Sequence, residues 1–341
     1  MKKTYLLAML VFCTFNCFAQ TKKPRVFVFT DINIGGGDPD DRQSLVHLFW
    51  YSNELEILGI VPDRWNARGM EACQLVIDAY AKDYQKYNFK RLSFPDAQKL
   101  KGWLAENPSD AIERLRKAAA STQIDPLYVL VWGNMVNLGK ALLQYPEISQ
   151  KIRLITIGTG LKYGPKDEVA GEDCHLPNWN GTGRNQIYED PRFRGMWWLE
   201  INWTYNGMFS GEEPGEMFEK LSKFGDMGQH IKFVTKDHPW AQYFRVGDTP
   251  SVLYLIDQSH NPDDPTQSSW AGKFKKPFPQ DRPHYFTDDN GAIAWDYADP
   301  CSSWDQVKAM YRYNKLTLEK ERPAMYKALL EKMEKIYGKG N

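Results

Sequence analysis

Thr30-Asp31-Ile32-Asn33-Ile34-Gly35-Gly36-Gly37-Asp38-Pro39-Asp40-Asp41 lies between the apolar run Arg25-Val26-Phe27-Val28-Phe29 and the segment Arg42-Gln43-Ser44-Leu45. The apolar run does not alternate, so it reads as a strand buried on both faces and ending in Asp31. Leu45, Leu48 and Phe49 recur at helical spacing and predict a helix from about Asp41 to Tyr51. Between them runs a polar, Gly-rich loop. In parallel α/β sheets, ligands bind outside the carboxyl ends of the strands, and Asp31 stands at such an end. Asp31, Asp38, Asp40 and Asp41 repel one another unless a positive charge sits among them. A hard cation with oxygen ligands supplies it, and Ca²⁺ suits a flexible loop best. A helix cap would account for one aspartate but not four. The spacing is not that of an EF-hand, whose glycine and terminal glutamate are absent.

Outward from this stretch, apolar strands alternate with amphipathic helices. Strands are expected at Leu55–Val61, Leu127–Trp132 and Arg153–Ile157, and helices at Arg68–Tyr84 and Val136–Gln144. This order predicts an α/β fold, a mostly parallel open sheet flanked by helices on both faces. Residues 162–195 are polar and rich in Gly, Asn and Pro, and read as loop over the active face. Helical stretches are expected after Glu212 and at Asp248–Asp257. Residues 259–291 read as a long excursion, and Trp304–Tyr337 as a charged amphipathic helical tail. No Gly/Ser linker or repeat divides the chain. Residues 20–341 read as one domain with long loops and a C-terminal helical extension.

The first residues have a different character. Lys2 and Lys3 precede the short apolar run Leu6–Phe12, and Cys17-Phe18-Ala19 closes it, so residues 1–19 read as a cleaved signal peptide. That run is too short for a membrane span. The expected destination is the periplasm or the medium. A lipoprotein anchored at Cys17 is disfavoured, because Thr14-Phe15-Asn16 is not a small, apolar lipobox. Cleavage leaves Cys73, Cys174 and Cys301, enough for one disulfide whose pairing the sequence does not choose. Neither CxxC nor Cys/His spacing for zinc is present. Lys plus Arg and Asp plus Glu both number 43, a balance that argues against a nucleic-acid partner. Aromatic residues make up 14% of the chain. Most such rings are core, but Trp132, Trp179, Trp197, Trp198, Trp203 and Trp270, near the expected loops, suit a sugar-stacking surface.

The acidic stretch resembles the N-terminal signature of the nucleoside hydrolases, an Asp-rich strand-end loop finishing in Asp-Asp before a helix. Its Pro39-Asp40-Asp41-Arg42-Gln43-Ser44-Leu45 form is more similar to the nucleoside hydrolase-like subfamily called cellulose-binding. Gly59-Ile60-Val61-Pro62-Asp63-Arg64-Trp65-Asn66, Trp132-Gly133-Asn134-Met135-Val136-Asn137-Leu138, Ile155–Gly160, Arg184-Asn185-Gln186 and Gly247-Asp248-Thr249-Pro250-Ser251 continue the likeness in order, over about residues 25–260. The resemblance implies Ca²⁺ held by Asp31, Asp41, the Val136 carbonyl and Asp248. It implies sugar contacts from Asp40, Asn66 and Gln186. It also implies a metal-activated water attacking an anomeric carbon, and association into dimers or tetramers.

Two departures shape the functional expectation. The loop is about three residues longer than in the family, so the family's base aspartate falls on Gly36. Asp31 or Asp38 is left to take that role. The family's leaving-group histidine is Gly247 here. The expected activity is therefore hydrolysis of an N- or O-glycosidic bond of a small sugar or glycoside rather than plain nucleoside cleavage. Glu172, His175, Arg282 and His284 are candidate leaving-group acids. The competing expectation is a non-catalytic module binding a cellulose-like polysaccharide. A third is a calcium-stabilised structural protein without a small ligand.

Overall fold

The computed structural model describes residues 22–34, 40–121, 125–160, 182–236, 243–299 and 301–338. Seven strands form one sheet: β1 (Arg25–Thr30), β2 (Glu56–Pro62), β3 (Leu127–Trp132), β4 (Ile152–Ile157), β5 (Trp197–Ile201), β6 (Phe274–Lys275) and β7 (Tyr285–Asp288). Their order is β2-β1-β3-β4-β5-β7-β6. Every pairing is parallel except β6 with β7. The expected mostly parallel α/β architecture is what the chain adopts.

β1 shows why its sequence does not alternate. Val26 and Val28 belong to one buried cluster, while Phe27 and Phe29 belong to the other. Apolar surface is therefore removed from water on both faces of this inner strand. Helices α1 (Asp40–Trp50), α2 (Gly69–Lys86), α3 (Ala97–Trp103), α4 (Pro108–Ala120) and α5 (Val136–Gln144) surround the first half of the sheet. They are followed by α6 (Thr182–Glu189), α7 (Glu213–Leu221), α8 (Gly225–Phe233), α9 (Pro250–Ile256), α10 (Trp304–Glu319) and α11 (Arg322–Tyr337). Among the described residues, no helix is long and apolar enough to cross a membrane. The outer edge of β2 is met by the segment after α3, with Ala105 N–H donating to the Ile60 carbonyl at 2.9 Å. The other edge ends in the two-residue β6.

Several elements differ from the sequence expectation. α6 stands inside the stretch read as loop, though it contains Gly183. That glycine lies against the start of α5, where a Cβ would come within 2.6 Å of the Met135 carbonyl oxygen. Close packing on α5 overrides poor helix propensity. β6 and β7 lie inside the expected excursion, because strands this short leave little pattern. β5 was missed because Glu200 interrupts its apolar run, and α3 and α4 were not expected. The tail is two helices, broken between Glu319 and Arg322 just before Pro323. Cys73 is a buried free thiol, and Cys301 is disulfide-bonded.

Besides its core contacts and the Lys332–Glu54 ion pair, the second tail helix is tied to the body through a hydroxyl at its end. Trp50 Nε1 donates to Tyr337 Oη at 3.0 Å, and Tyr337 Oη donates to Asp83 at 2.8 Å. Asp83 also accepts from the Asp226 and Met227 backbone N–H groups at the start of α8. Tyr337→Phe leaves the indole N–H without its acceptor, so unfolding in urea is expected to occur at lower denaturant, with about 1–3 kcal/mol of stability lost. An unchanged midpoint would show that the tail is not coupled to the body.

Candidate functional site

The parallel register decides what sits at the carboxyl ends of the strands. Thr30 pairs with Pro62 on one side and Trp132 on the other, so Asp31, Asp63 and Gly133 follow in a row across β2, β1 and β3. Asp63 N–H donates to the Thr30 carbonyl at 2.8 Å, and Asp31 N–H to the Trp132 carbonyl at 3.1 Å. Gly133 has φ +89°, and a Cβ there would come within 3.0 Å of the Asp31 carboxyl. A positive φ and a close carboxylate both require glycine.

Asp41 opens α1 and is buried. It accepts a hydrogen bond from the Thr30 hydroxyl. Asp40, Asp41 and Asp248 each offer a carboxylate oxygen within 4.8 Å of the others. Three devices hold this cluster. The Asp40 carboxylate accepts from Asp41 N–H at 3.1 Å. Gln43 donates to the Ile231 carbonyl at 3.2 Å and accepts from Arg245 N–H at 2.6 Å, tying α1 to the segment that carries Asp248. Trp132 Nε1 donates to Ser251 Oγ at 2.9 Å, and Ser251 Oγ donates to the Asp248 carbonyl at 2.7 Å, fixing the turn before α9 to the end of β3.

This arrangement concentrates negative charge in a place that disfavours it. Burial drives the Asp41 carboxyl well above its ordinary range, and Asp248, Asp31 and Asp40 push it further, against the Thr30 hydrogen bond. An acidic cluster with that penalty fits a hard cation with oxygen donors. Asp31 stands just outside the three. Its carboxylate is taken by Arg64, with Nη2 at 2.7 Å and Nε at 3.3 Å.

The other expected site residues separate into groups. Val136 is the first residue of α5, and its N–H donates to Asn134 Oδ1 at 2.8 Å. Asn66 is exposed in a short turn after β2, next to Ala67, whose carbonyl accepts from Ile34 N–H at 3.2 Å. It therefore flanks the acidic loop. Gln186 is exposed on α6, and no contact among the described residues links it to the carboxylates. Asp38, Glu172, His175 and Trp179 lie outside the described residues. Two leaving-group candidates are misplaced by the topology. His284 precedes β7 and lines a cavity of about 540 Å³ with Arg25, Ile152 and Trp197, at the opposite ends of the strands from the carboxylates. Arg282 is buried, stacked 3.8 Å from the Tyr188 ring centroid and donating to the Tyr188 carbonyl. Trp132 and Trp198 are core.

Two features were not expected. Asp63 is buried and accepts from the Asn137 amide. Burial pushes its carboxyl from 3.8 up to about 7, with Asn137 working against the rise and the Asp31 charge adding to it. A carboxylate directly after an apolar strand was its signal. The second is an aromatic wedge on the turn Thr204–Met208. A Cβ on Gly247 would lie 2.7 Å from Asp40 Oδ2, 3.3 Å from the Phe209 ring and 3.4 Å from the Tyr205 ring. The place of a leaving-group histidine is closed by these rings. Farther along the sheet, Glu200 is fully buried. Arg184 Nε and Nη2 donate to it at 2.8 and 2.6 Å, with Thr159 and Tyr285 also donating. Burial opposes its charge, but Arg184 holds its carboxyl below the ordinary range. That pair seats α6 on β5.

Residues 25–274 match the family model described as cellulose-binding Sde182, nucleoside hydrolase-like domain. No curated protein matches the chain. A nucleoside hydrolase-related protein from Saccharophagus degradans, associated with carbohydrate metabolism, aligns at 14% identity and a TM-score of 0.60, covering 92% of this chain and 72% of that one. The inosine-uridine preferring nucleoside hydrolase of Bacillus anthracis aligns at 16% identity over 86% of this chain and 99% of its own, with a TM-score of 0.44. An inosine-guanosine nucleoside hydrolase aligns at 12% identity over 87% and 99%, with a TM-score of 0.48. At such identities the likeness to solved structures concerns the fold.

The raised carboxyls give a signed pH dependence. Folding favours the protonated forms of Asp63 and Asp41. The stability contributed by Asp63 is fully present below pH 4 and is lost as pH rises through about 7, and Asp41, raised by burial and its like-charged neighbours, acts in the same direction. Asp257, pulled down to about 2 by its hydrogen-bond partners despite burial, acts in a separate window, below pH 4. The melting temperature of EDTA-treated protein is therefore expected to fall between pH 4 and 7. Added Ca²⁺ is expected to raise it more at pH 7 than at pH 5. An equal shift at both values would remove the carboxylate cluster as the binding site.

Proposed function

The chain belongs to the cellulose-binding Sde182, nucleoside hydrolase-like domain family, and on that premise we propose that it is an exported, Ca²⁺-dependent hydrolase of a glycosidic bond. The observation that carries the proposal is the convergence of Asp40, Asp41 and Asp248 at the carboxyl ends of the central strands, with Asp41 buried among like charges. Asp41 and Asp248 would hold the cation. Asp31, released from Arg64, and the Val136 carbonyl would complete the donor set. Bound Ca²⁺ supplies Lewis acidity, lowering the pKa of water and orienting it.

The remaining roles fall to the chain itself. Asp40, less buried than Asp41, accepts hydrogen bonds from ring hydroxyls and so orients the sugar, and Asn66 adds a donor at the rim. Proton transfer is the part in which this chain departs from the pattern it resembles, with Gly36 and Gly247 at the base and leaving-group positions. Arg64 occupies the Asp31 carboxylate with two hydrogen bonds. Asp63, held by Asn137 and poised near neutrality, is the carboxylate suited to take and return a proton at its Oδ atoms. Residues 1–19 serve as the cleaved export signal, with release into the periplasm or medium.

A second reading is favoured by a specific observation. Tyr205, Phe209 and the Asp40 carboxylate already occupy the space beside Gly247, leaving no room there for a leaving-group histidine. A site that holds sugar hydroxyls without protonating a leaving group is a carbohydrate-binding site. The partner is then a polysaccharide such as the cellulose of the family's description.

Screening the purified mature protein on nitrophenyl glycosides and nucleosides separates the two. Sugar release that EDTA abolishes and Ca²⁺ restores is expected for the hydrolase. Saturable Ca²⁺-dependent binding without turnover establishes the binding module instead. Asp41→Ala and Asp248→Ala are each expected to lose the metal by elemental analysis, together with activity or binding. Full metal occupancy in both variants would overturn the site. If the hydrolase reading holds, Asp63→Asn is expected to lower kcat by roughly 10²-fold with little change in KM, as for a lost general acid–base group.

A further inference from the structure

Aromatic side chains continue along the sheet beyond the carboxylates. Trp203 follows β5 directly, at the same carboxyl edge as Asp31. Its ring meets Trp295 with centroids 6.4 Å apart and planes at 88°, and Trp295 meets Tyr297 at 6.5 Å and 77°. All three are partly exposed. Both ends of the row are pinned to Asp288, the last residue of β7. Trp203 N–H donates to the Asp288 carboxylate at 3.2 Å, and Tyr297 Oη donates to its carbonyl at 2.6 Å. The same buried carboxylate accepts from Asn202 and Thr204 N–H. The loop that carries Trp295 is held from several sides. Asn290 donates to the Ile293 carbonyl at 2.6 Å, Lys275 Nζ to Asn290 at 2.8 Å, and Gln306 to the Ala294 carbonyl at 2.8 Å. Such rings pay little further ordering entropy on meeting a ligand.

The row also connects to the carboxylate site. Tyr205, two residues past Trp203 and so within ~7 Å of it along the chain, packs beside Gly247 and Asp40. Resting on the carbohydrate reading above, we propose that Trp203, Trp295 and Tyr297 form a stacking platform for further rings of a linear oligosaccharide whose first sugar lies at the carboxylates. Neighbouring planes stand nearly perpendicular, so the row offers alternating faces and edges to the apolar faces of successive pyranose rings, each aromatic having a flat apolar body and a polar tip. Lys275 Nζ, 5.4 Å from the Tyr297 ring centroid, places a donor at the far end. A nucleoside, with a single base, would not use the length of the row.

The experiment is titration of the Ca²⁺-loaded, full-length mature protein with β-1,4-linked glucose oligosaccharides from monomer to hexamer, read by calorimetry and tryptophan fluorescence. Affinity is expected to rise with chain length. Trp295→Ala is expected to weaken hexamer binding roughly tenfold while leaving the monomer unaffected. Trp295→Leu keeps apolar volume but removes the flat ring, and serves if the alanine variant does not fold. Monomer binding with no gain on lengthening, or equal losses at every length in the variant, would overturn the platform and leave the carboxylate reading standing. Failure of every sugar to bind the wild-type protein would overturn both.

Discussion

Like charges forced together at the carboxyl ends of parallel strands are the constraint from which the rest of this molecule follows. The register of β1 against β2 and β3 puts Asp31 and Asp63 side by side over Gly133. The start of α1 and the turn before α9 add Asp40, Asp41 and Asp248. No local preference would assemble such a group, because each carboxylate raises the cost of ionising its neighbours. The surrounding structure therefore spends hydrogen bonds on confinement. Thr30 holds Asp41, Gln43 bridges to the segment before Asp248, and Trp132 reaches through Ser251 to the Asp248 backbone. Each of these partners is itself anchored in the sheet or the core. The repulsion is thus balanced by the folding of the whole domain, and a cation, as proposed above, would relieve what remains.

The same confinement explains the balance between cleaving a sugar and holding one. Around the cluster, the side proposed to face a sugar retains carboxylates and polar neighbours, while the side where a leaving group would lie is lined by the Tyr205 and Phe209 rings. Gly247 is the hinge of that difference. Without a side chain there, Tyr205 and Phe209 can close on Asp40. Substituting them by smaller residues would open the space but also expose Asp40 and Asp248 to water, which weakens their mutual repulsion and their hold on a cation alike.

How far the sequence disclosed this depends on the range of the interactions. The acidic loop, β1, β3 and α5 were legible because their signals are local: an uninterrupted apolar run, helical spacing and clustered aspartates. Asp248 was legible only through family resemblance, since nothing near it in sequence marks it as a partner of Asp41. Asp63 escaped notice because its significance comes from register, a property of pairing between segments more than thirty residues apart. β5 was hidden by Glu200, a charge tolerable in a core strand only because Arg184, Tyr285 and Thr159 converge on it from other elements. His284 reads as an acid near the site, but it precedes β7, which runs parallel to β5, and so stands at the amino-terminal foot of the sheet.

The two edges of the sheet carry a consequence for how molecules of this protein meet. A strand with unpaired N–H and C=O groups invites a second chain to extend the sheet, and such extension underlies aggregation. Here β2 is partly covered by the backbone at Leu104 and Ala105. The far side ends in an antiparallel strand of two residues, too short to template another. Self-association by strand addition is thereby discouraged at both margins. Among the described residues, an assembly of copies would therefore draw on helix faces and loops rather than on strand addition.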